Sequence, residues 1–384
     1  MRVAYLLTQD RGGPVDVTVR LAAALIASGE VDVRVFGPTP ARGAELVAGH
    51  HEEVSVARKG DLRAGRRARE VVRAWRPDVV HAQDRRSGLV GAGLLGPGLL
   101  GPGLLGPGLF GAGSSGARRP RPRVVQTYHG VPDDVREEWF RGGRGAPVPS
   151  GYTRTVLAAD AGVARFVHRT VVPAPSMGEF LVRRLRVPAH RVTHIDNCVR
   201  LPEPCPPDGP VRRLVFVGLL VERKGLLTLL DALARPGVMP PDASLTVIGD
   251  GPQRVAAELR ARRDLPGRVD FLGYRTDVPE QLRRHDALVL PSSMEQQPLV
   301  VAEAMAAGKP VVATDTGGVA DMLAEPACLA APGDAAALAD RLAALFADPD
   351  PGRTGRALAE RAHARFAPDV CARRHLALYR ELVA

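Results

Sequence analysis

"ALVLPSSMEQQPLVVAEAMAAGKPVVAT", Ala287 to Thr314, decides the fold. "ALVLPS" is a short apolar run closed by proline and serine, the mark of a buried strand. "PLVVAEAMAAG" places Pro298 where a helix can begin and Gly308 just past its end. "PVVAT" is a second buried strand. A helical crossover between two such strands makes them parallel neighbours. The helix is apolar on every side, which predicts burial all round. Glu303 stands in the middle of it. An unpartnered buried carboxylate costs several kcal/mol, on the order of one lost ion pair. Glu303 must therefore meet a positive side chain or the hydroxyls of a ligand. Glu295 lies in the loop leaving the first strand, where a carboxylate can bind hydroxyls or stabilise developing positive charge.

The same alternation extends in both directions. Toward the N-terminus, Val3 to Leu7 reads as a strand, followed by "TQDRGGP" and a helix from about Val15 to Ala27. "VDVRVFG", "DVVHAQ", "RVVQTYHG" and "TVVPAPS" are further strands, and "RAGRRAREVVRAWRP" is a basic helix stopped by Pro77. "RLPEPCPPDGPVR", Arg200 to Arg212, is proline-rich and reads as a linker. A fresh series then begins with "RLVFVG" and "KGLLTLLDALA". The pattern predicts an α/β protein of two Rossmann-like domains with parallel sheets, over 1–200 and 213–365, joined by 201–212. A last helix over 366–384 is expected to pack back toward the first domain. Ligands of open parallel sheets bind beyond the C-terminal strand ends, so the functional loops should face the cleft between the domains.

"GAGLLGPGLLGPGLLGPGLFGAG", Gly91 to Gly113, interrupts this order with a five-residue repeat. Its prolines and glycines oppose a regular helix, so it reads as an expanded loop. Its leucines could also touch a membrane or a greasy acceptor.

The chain has 384 residues, enough for two domains. Aromatic content of 4% argues against a stacking surface for single-stranded nucleic acid. The net charge of +10 comes almost wholly from arginine. Pairs such as Arg66-Arg67 and Arg183-Arg184 are scattered and read as solvated helix faces, so no nucleic-acid partner is expected. Only Lys59, Lys224 and Lys309 are lysines. In an arginine-rich chain a compact ammonium suits a phosphate that a planar guanidinium fits less well. Cys198, Cys205, Cys328 and Cys371 lack zinc-ligand spacing and read as reduced thiols. No apolar run reaches spanning length, and the N-terminus reads as a strand rather than a signal peptide. A cytoplasmic location is expected, with an oligomeric state the sequence leaves open.

Three glycine turns, "DRGGP" at Asp10 to Pro14, "IGDGP" at Ile248 to Pro252 and "TGG" at Thr316 to Gly318, each join a strand to a helix. Such turns aim backbone N–H groups at an anion. Any one alone is an ordinary tight turn; three at one cleft with Lys224 point to a diphosphate. His81 and His129 each end a strand, and a lone histidine there is either structural or part of a site.

On "EQQPLVVAE" with "AMAAGKPVVATDTGG", "LVFVGLLVERKG", "LTVIGDGP" and the N-terminal "GG", the chain resembles the retaining glycosyltransferases of family 4, which have the two-domain GT-B fold. The resemblance implies a nucleotide-sugar donor, a UDP- or GDP-sugar, held mainly by the second domain. It implies an acceptor on the first, a small molecule, lipid or glycan. By the same resemblance Glu303 binds ribose hydroxyls, Glu295 contacts the transferred sugar, and Lys224 sits on the diphosphate. Gly13, Gly317 and Gly318 fall in loops near the donor, as do Pro298, Leu299 and Val300, and His129 lies near the sugar. No cofactor or obligatory metal is implied. Three departures stand out. Leu219 replaces the family arginine, with Arg223 a candidate substitute. Gln296 and Gln297 replace a glycine and an aromatic, and Gln297 could offer its amide to the sugar. Pro298 replaces a glycine and has no N–H to give. A nucleotide-sugar epimerase and a non-catalytic GT-B partner subunit are the alternative readings.

Overall fold

The computed structural model describes residues 1–55, 62–92 and 121–384. Lys59 and all but the first two residues of the Gly91–Gly113 repeat lie outside the described residues. Two parallel sheets form. The first contains β1 (Arg2–Leu6), β2 (Asp32–Gly37), β3 (His51–Glu53), β4 (Val79–Ala82), β5 (Arg123–Thr127), β6 (Arg169–Val172) and β7 (Val192–His194). Its order is β3-β2-β1-β4-β5-β6-β7. The second contains β8 (Arg213–Val217), β9 (Ser244–Ile248), β10 (Val269–Gly273), β11 (Ala287–Leu290), β12 (Val311–Thr314) and β13 (Leu329–Ala330), in the order β10-β9-β8-β11-β12-β13.

Both sheets reverse their direction of growth beside the first strand. In the first the crevice opens between β1 and β4; in the second it opens between β8 and β11. Loops leaving adjacent strands at such a point diverge to opposite faces and leave room for a ligand. The quoted segment supplies β11 and β12, paired in parallel register with Leu288 opposite Val311. All four residues of each strand are buried, as their unbroken apolar runs require.

The helix Leu299–Ala306 differs from expectation in two respects. Pro298 takes the N-cap position rather than the first helical one. The helix is also not buried all round: Val301, Ala302, Ala304, Met305 and Ala306 are buried, whereas Leu299, Val300 and Glu303 are half-buried. These three share one face at helical spacing, and that face looks across the cleft at the first helix, Gly13–Ser28. A Cβ placed on Gly13 would lie 3.3 Å from Leu299 Cδ1, which shows how closely the two helix starts approach.

The proline-rich linker is tethered rather than free. Val199 N donates to Phe366 O at 3.0 Å, and Cys205 N donates to Ala307 O at 2.9 Å. The chain then returns through the helix Pro351–Phe366 to a last helix, Pro368–Val383. Cys371, Ala372, Leu376 and Tyr379 of that last helix join Val3 and Tyr5 in the core of the first domain. Tyr379 Oη lies 2.8 Å from Tyr5 Oη and 2.6 Å from His81 Nδ1, so three fully buried polar groups satisfy one another. None of the four cysteines is disulfide-bonded. Among the described residues no helix is long and apolar enough to cross a membrane.

Candidate active site

The loops leaving β8 and β11 border the crevice between these strands, and one side chain from each reaches across it. The first carries a short 3-10 turn, Glu222–Lys224, and the second carries Glu295. Lys224 Nζ donates to Glu295 Oε1 at 2.5 Å, with side-chain exposures of 15% and 8%. Gly225 makes this meeting possible. Its φ is 69°, and a Cβ there would stand 2.0 Å from Pro291 O. Only glycine allows that approach.

Arg223, beside Lys224, donates from Nη1 to Met294 O at 3.0 Å, and its Nε lies 3.4 Å from Asp133 of the first domain. Leu219, where the resemblance expects an arginine, is 62% exposed. A cleft pocket of about 190 Å³ is lined on one side by His129, Gly130 and Asp133 and on the other by Arg223, Glu295, Gln296 and Gln297. The site is thus built from both domains.

His129 follows β5 and lies beside the end of β4. Its Nε2 is 3.2 Å from Gln83 Oε1. Burial, with a smaller push from His375, lowers its pKa to about 4. The ring is therefore neutral at pH 7, and Nε2 donating to Gln83 leaves the lone pair on Nδ1. His81 is the structural case. It is fully buried, with Nδ1 against Tyr379 Oη and Nε2 2.8 Å from Thr127 Oγ1.

Glu303 lies beyond this pocket, between its own helix and Gly13–Ser28. Arg20 Nη2 is 3.8 Å from Glu303 Oε1, too long for a hydrogen bond. Arg20 Nη1 is buried without a hydrogen-bond partner. Burial raises the Glu303 pKa, against the pull of Arg20. The two alternatives left open by the sequence therefore meet here. A positive group is near, yet no hydrogen bond from the described residues fills the carboxylate.

The glycine turns divide. At Ile248–Pro252, a Cβ on Gly249 would lie 1.9 Å from Gly218 O, and one on Gly251 would lie 2.6 Å from Leu220 O. Those glycines serve backbone packing. Gly317 (φ 51°) packs against the Glu295 carbonyl, where a Cβ would stand at 1.7 Å. Its N–H is not open to an anion: it donates to Glu137 Oε1 at 2.9 Å. Gly318 N donates to Gln296 O at 2.8 Å.

Gln297 is also committed. Its Oε1 accepts from Asn197 N at 2.6 Å and its Nε2 donates to Asp196 Oδ1 at 2.6 Å. The expected amide offered to a sugar is instead fastened to the stretch that follows β7 in the first domain. Asp196 further accepts from Arg365 Nη2 at 2.8 Å. His194, Asp196 and Asp321 lie close enough together to ligate a metal. The Asp196 oxygens are already occupied by amide and guanidinium donors, which oppose a cation.

Sequence reasoning singled out Gln296 as a departure from the family but gave it no role in the site. Its side chain is 9% exposed, lines the pocket, and has neither Nε2 nor Oε1 hydrogen-bonded. The available signal was a polar residue where the family has glycine.

Two parallel-sheet domains with a composite cleft at paired switch points define a GT-B protein. The family described as "Glycosyltransferase Family 4" matches residues 11–202, half of the chain, and "Glycosyl transferases group 1" matches residues 211–348. The chain belongs to glycosyltransferase family 4. It is 32% identical over 240 residues to the 2-deoxystreptamine glucosyltransferase of Streptomyces kanamyceticus, covering 61% of this chain and 59% of that one. It is 28% identical over 300 residues to the glycogen synthase of Mycobacterium tuberculosis, covering 75% and 65%. The matched stretches are thus under two thirds of either relative's length. Among solved structures it is similar to Anabaena Alr3699/HepE in complex with UDP-glucose, with TM-score 0.71, 20% identity, and coverage of 99% and 100%. It is also similar to the sucrose-phosphate synthase of Thermosynechococcus elongatus, with TM-score 0.72, 22% identity, and coverage of 99% and 98%.

Proposed function

We propose that this chain transfers a sugar from a nucleoside-diphosphate sugar to a hydroxylated acceptor, with retention of anomeric configuration. The observation that carries the reading is the buried Lys224–Glu295 pair at the β8/β11 crevice, whose Glu295 faces His129 of the other domain across one pocket. Family membership supports it. So does the likeness to Alr3699/HepE, which was solved with UDP-glucose.

Each residue then has a task. Glu303 accepts from the ribose hydroxyls, which fill the carboxylate that Arg20 leaves open. Lys224 and Arg223 stabilise charge growing on the leaving diphosphate, with the start of the helix Gly13–Ser28 opposite. Arg223 thereby covers the position that Leu219 leaves empty. Glu295, held by Lys224, faces positive charge developing on the sugar ring. His129, neutral, positions an acceptor or sugar hydroxyl. The departing phosphate oxygen can take the acceptor's proton, so no separate base is required. No metal is needed in this scheme. The acceptor is a small molecule, lipid or glycan, and the repeat over 91–113 is a candidate for peripheral membrane contact.

Nucleotide release from UDP-glucose and GDP-mannose, with and without candidate acceptors, tests the reading. Release that requires an acceptor and persists with EDTA, with the product's anomeric centre retained by NMR, is the expected result. Donor isomerisation alone would instead identify an epimerase. Binding without turnover would identify a non-catalytic subunit.

A further inference from the structure

We propose that Gln296 reads the hydroxyls of the transferred sugar, and that its carboxamide selects a neutral, hydroxyl-rich ring over an acidic one. This rests on the nucleotide-sugar reading above and deepens it.

A carboxamide offers two donor hydrogens and one acceptor oxygen. Buried carboxamides are almost always paired. Gln296 is 9% exposed, yet both its Nε2 and Oε1 are buried without partners, on the wall of the cleft pocket. Its backbone is gripped. Gly318 N donates to Gln296 O, and a Cβ on Gly318 would stand 2.5 Å from that oxygen. On the opposite side Gly130 approaches so that a Cβ there would lie 3.9 Å from Gln296 Cγ. The glycine turn of one domain therefore holds the Gln296 backbone, and its side chain reaches the His129–Gly130 loop of the other. Its neighbour Gln297 satisfies both of its own ends within the protein, which makes the contrast local and specific.

The groups left over define the ligand. A pair of hydroxyls can both donate to Oε1 and accept from Nε2. A carboxylate uses only the donors and needs a cation as well. The cations flanking the pocket are taken, since Lys224, which also holds Glu295, and Arg223 serve the diphosphate in the reading above. A uronate would therefore enter a pocket without a free counter-charge, whereas a hexose would complete it.

Calorimetric titration of the full chain with UDP, GDP, UDP-glucose, GDP-mannose and UDP-glucuronate tests this, in wild type and in Gln296→Met, which keeps the shape. The wild type is expected to bind a hexose nucleotide more tightly than UDP-glucuronate. Gln296→Met should lose about tenfold in affinity for that hexose nucleotide, one hydrogen bond's worth, with unchanged affinity for the bare diphosphate. Its ligand-free melting temperature should equal or exceed the wild type's, because an unpaired polar group has been removed. Equal losses for diphosphate and sugar nucleotide, no loss at all, or a preference for the uronate would overturn the assignment. So would a marked fall in melting temperature, which would show that the carboxamide has partners in the protein. If none of the five probes binds wild type, the nucleotide-sugar reading itself fails, which is a separate result.

Discussion

Glu137 Oε1 accepts from the Gly317 amide at 2.9 Å, so a carboxylate of the first domain caps the glycine turn of the second. Arg141 Nε donates to the same oxygen at 2.6 Å, and its Nη2 reaches Asp315 Oδ1 at 2.8 Å. Glu137 is 7% exposed, and its Oε2 is buried without a partner. A carboxylate thus ties the two domains across the cleft and stands where an anionic ligand would be expected.

Replacing Glu137 by alanine should leave the Gly317 N–H unpaired and release Arg141, at a cost of about 1–3 kcal/mol. The ligand-free protein should then open, with a larger radius of gyration in small-angle scattering and a lower melting temperature. Arg141→Ala should also destabilise, because it takes the cation from the buried Glu137 carboxylate, while the Gly317 N–H keeps its acceptor. An unchanged scattering profile for Glu137→Ala would show that other contacts close the cleft.

Lys224→Met should abolish transfer and also destabilise, because it strands Glu295 in a buried place; about 3 kcal/mol is the usual scale. The double variant Lys224→Met with Glu295→Gln removes both charges. It should recover most of the stability and none of the turnover. Urea unfolding alongside single-turnover kinetics separates the two effects. Recovery of turnover in the double variant would remove Lys224 from the chemistry.

Glu303 has a raised pKa because of burial. It therefore takes up a proton at higher pH than an ordinary glutamate as the solution is acidified. Donor affinity, which needs the ionised form, should be full above that raised value and fall as pH drops through it. Glu303→Gln should weaken nucleotide-sugar binding at pH 7 by about tenfold or more and flatten the acid limb. Calorimetry across the pH range reads both, and a parallel acid limb in the variant would assign the titration elsewhere.

Asp196 titrates the other way. Burial alone would raise its pKa, but His194 and Arg365 outweigh that and hold it below the usual carboxylate range. Its stabilising contribution is present above the unfolded value of about 3.9 and is lost as pH falls through the lower folded value. Asp196→Asn should reduce stability at neutral pH and lessen its decline in acid. Because Gln297 and Arg365 both hang on this carboxylate, domain closure should loosen as well. Thermal melts from about pH 7 down to about pH 2, at about one-unit steps, check the sign.

Much of this protein was written in its order of residues. Unbroken apolar runs such as Ala287–Leu290 and Val311–Thr314, alternating with helical segments, required parallel sheets, because local periodicity follows directly from side-chain order. The types at Lys224, Glu295 and Glu303 were legible too, since a charge set in apolar surroundings or at a strand end demands a partner. Partnership itself was not legible. That Lys224 meets Glu295, that Glu137 takes the Gly317 amide, and that Gln297 is tied down while Gln296 is left open all depend on loops far apart in the chain. The glutamate helix looked uniformly apolar, yet only the placement of the first helix revealed which face borders the cleft. Sequence fixes what each group can bond to, whereas strand order and domain closure decide which groups come within about 3 Å, the range over which hydrogen bonds act.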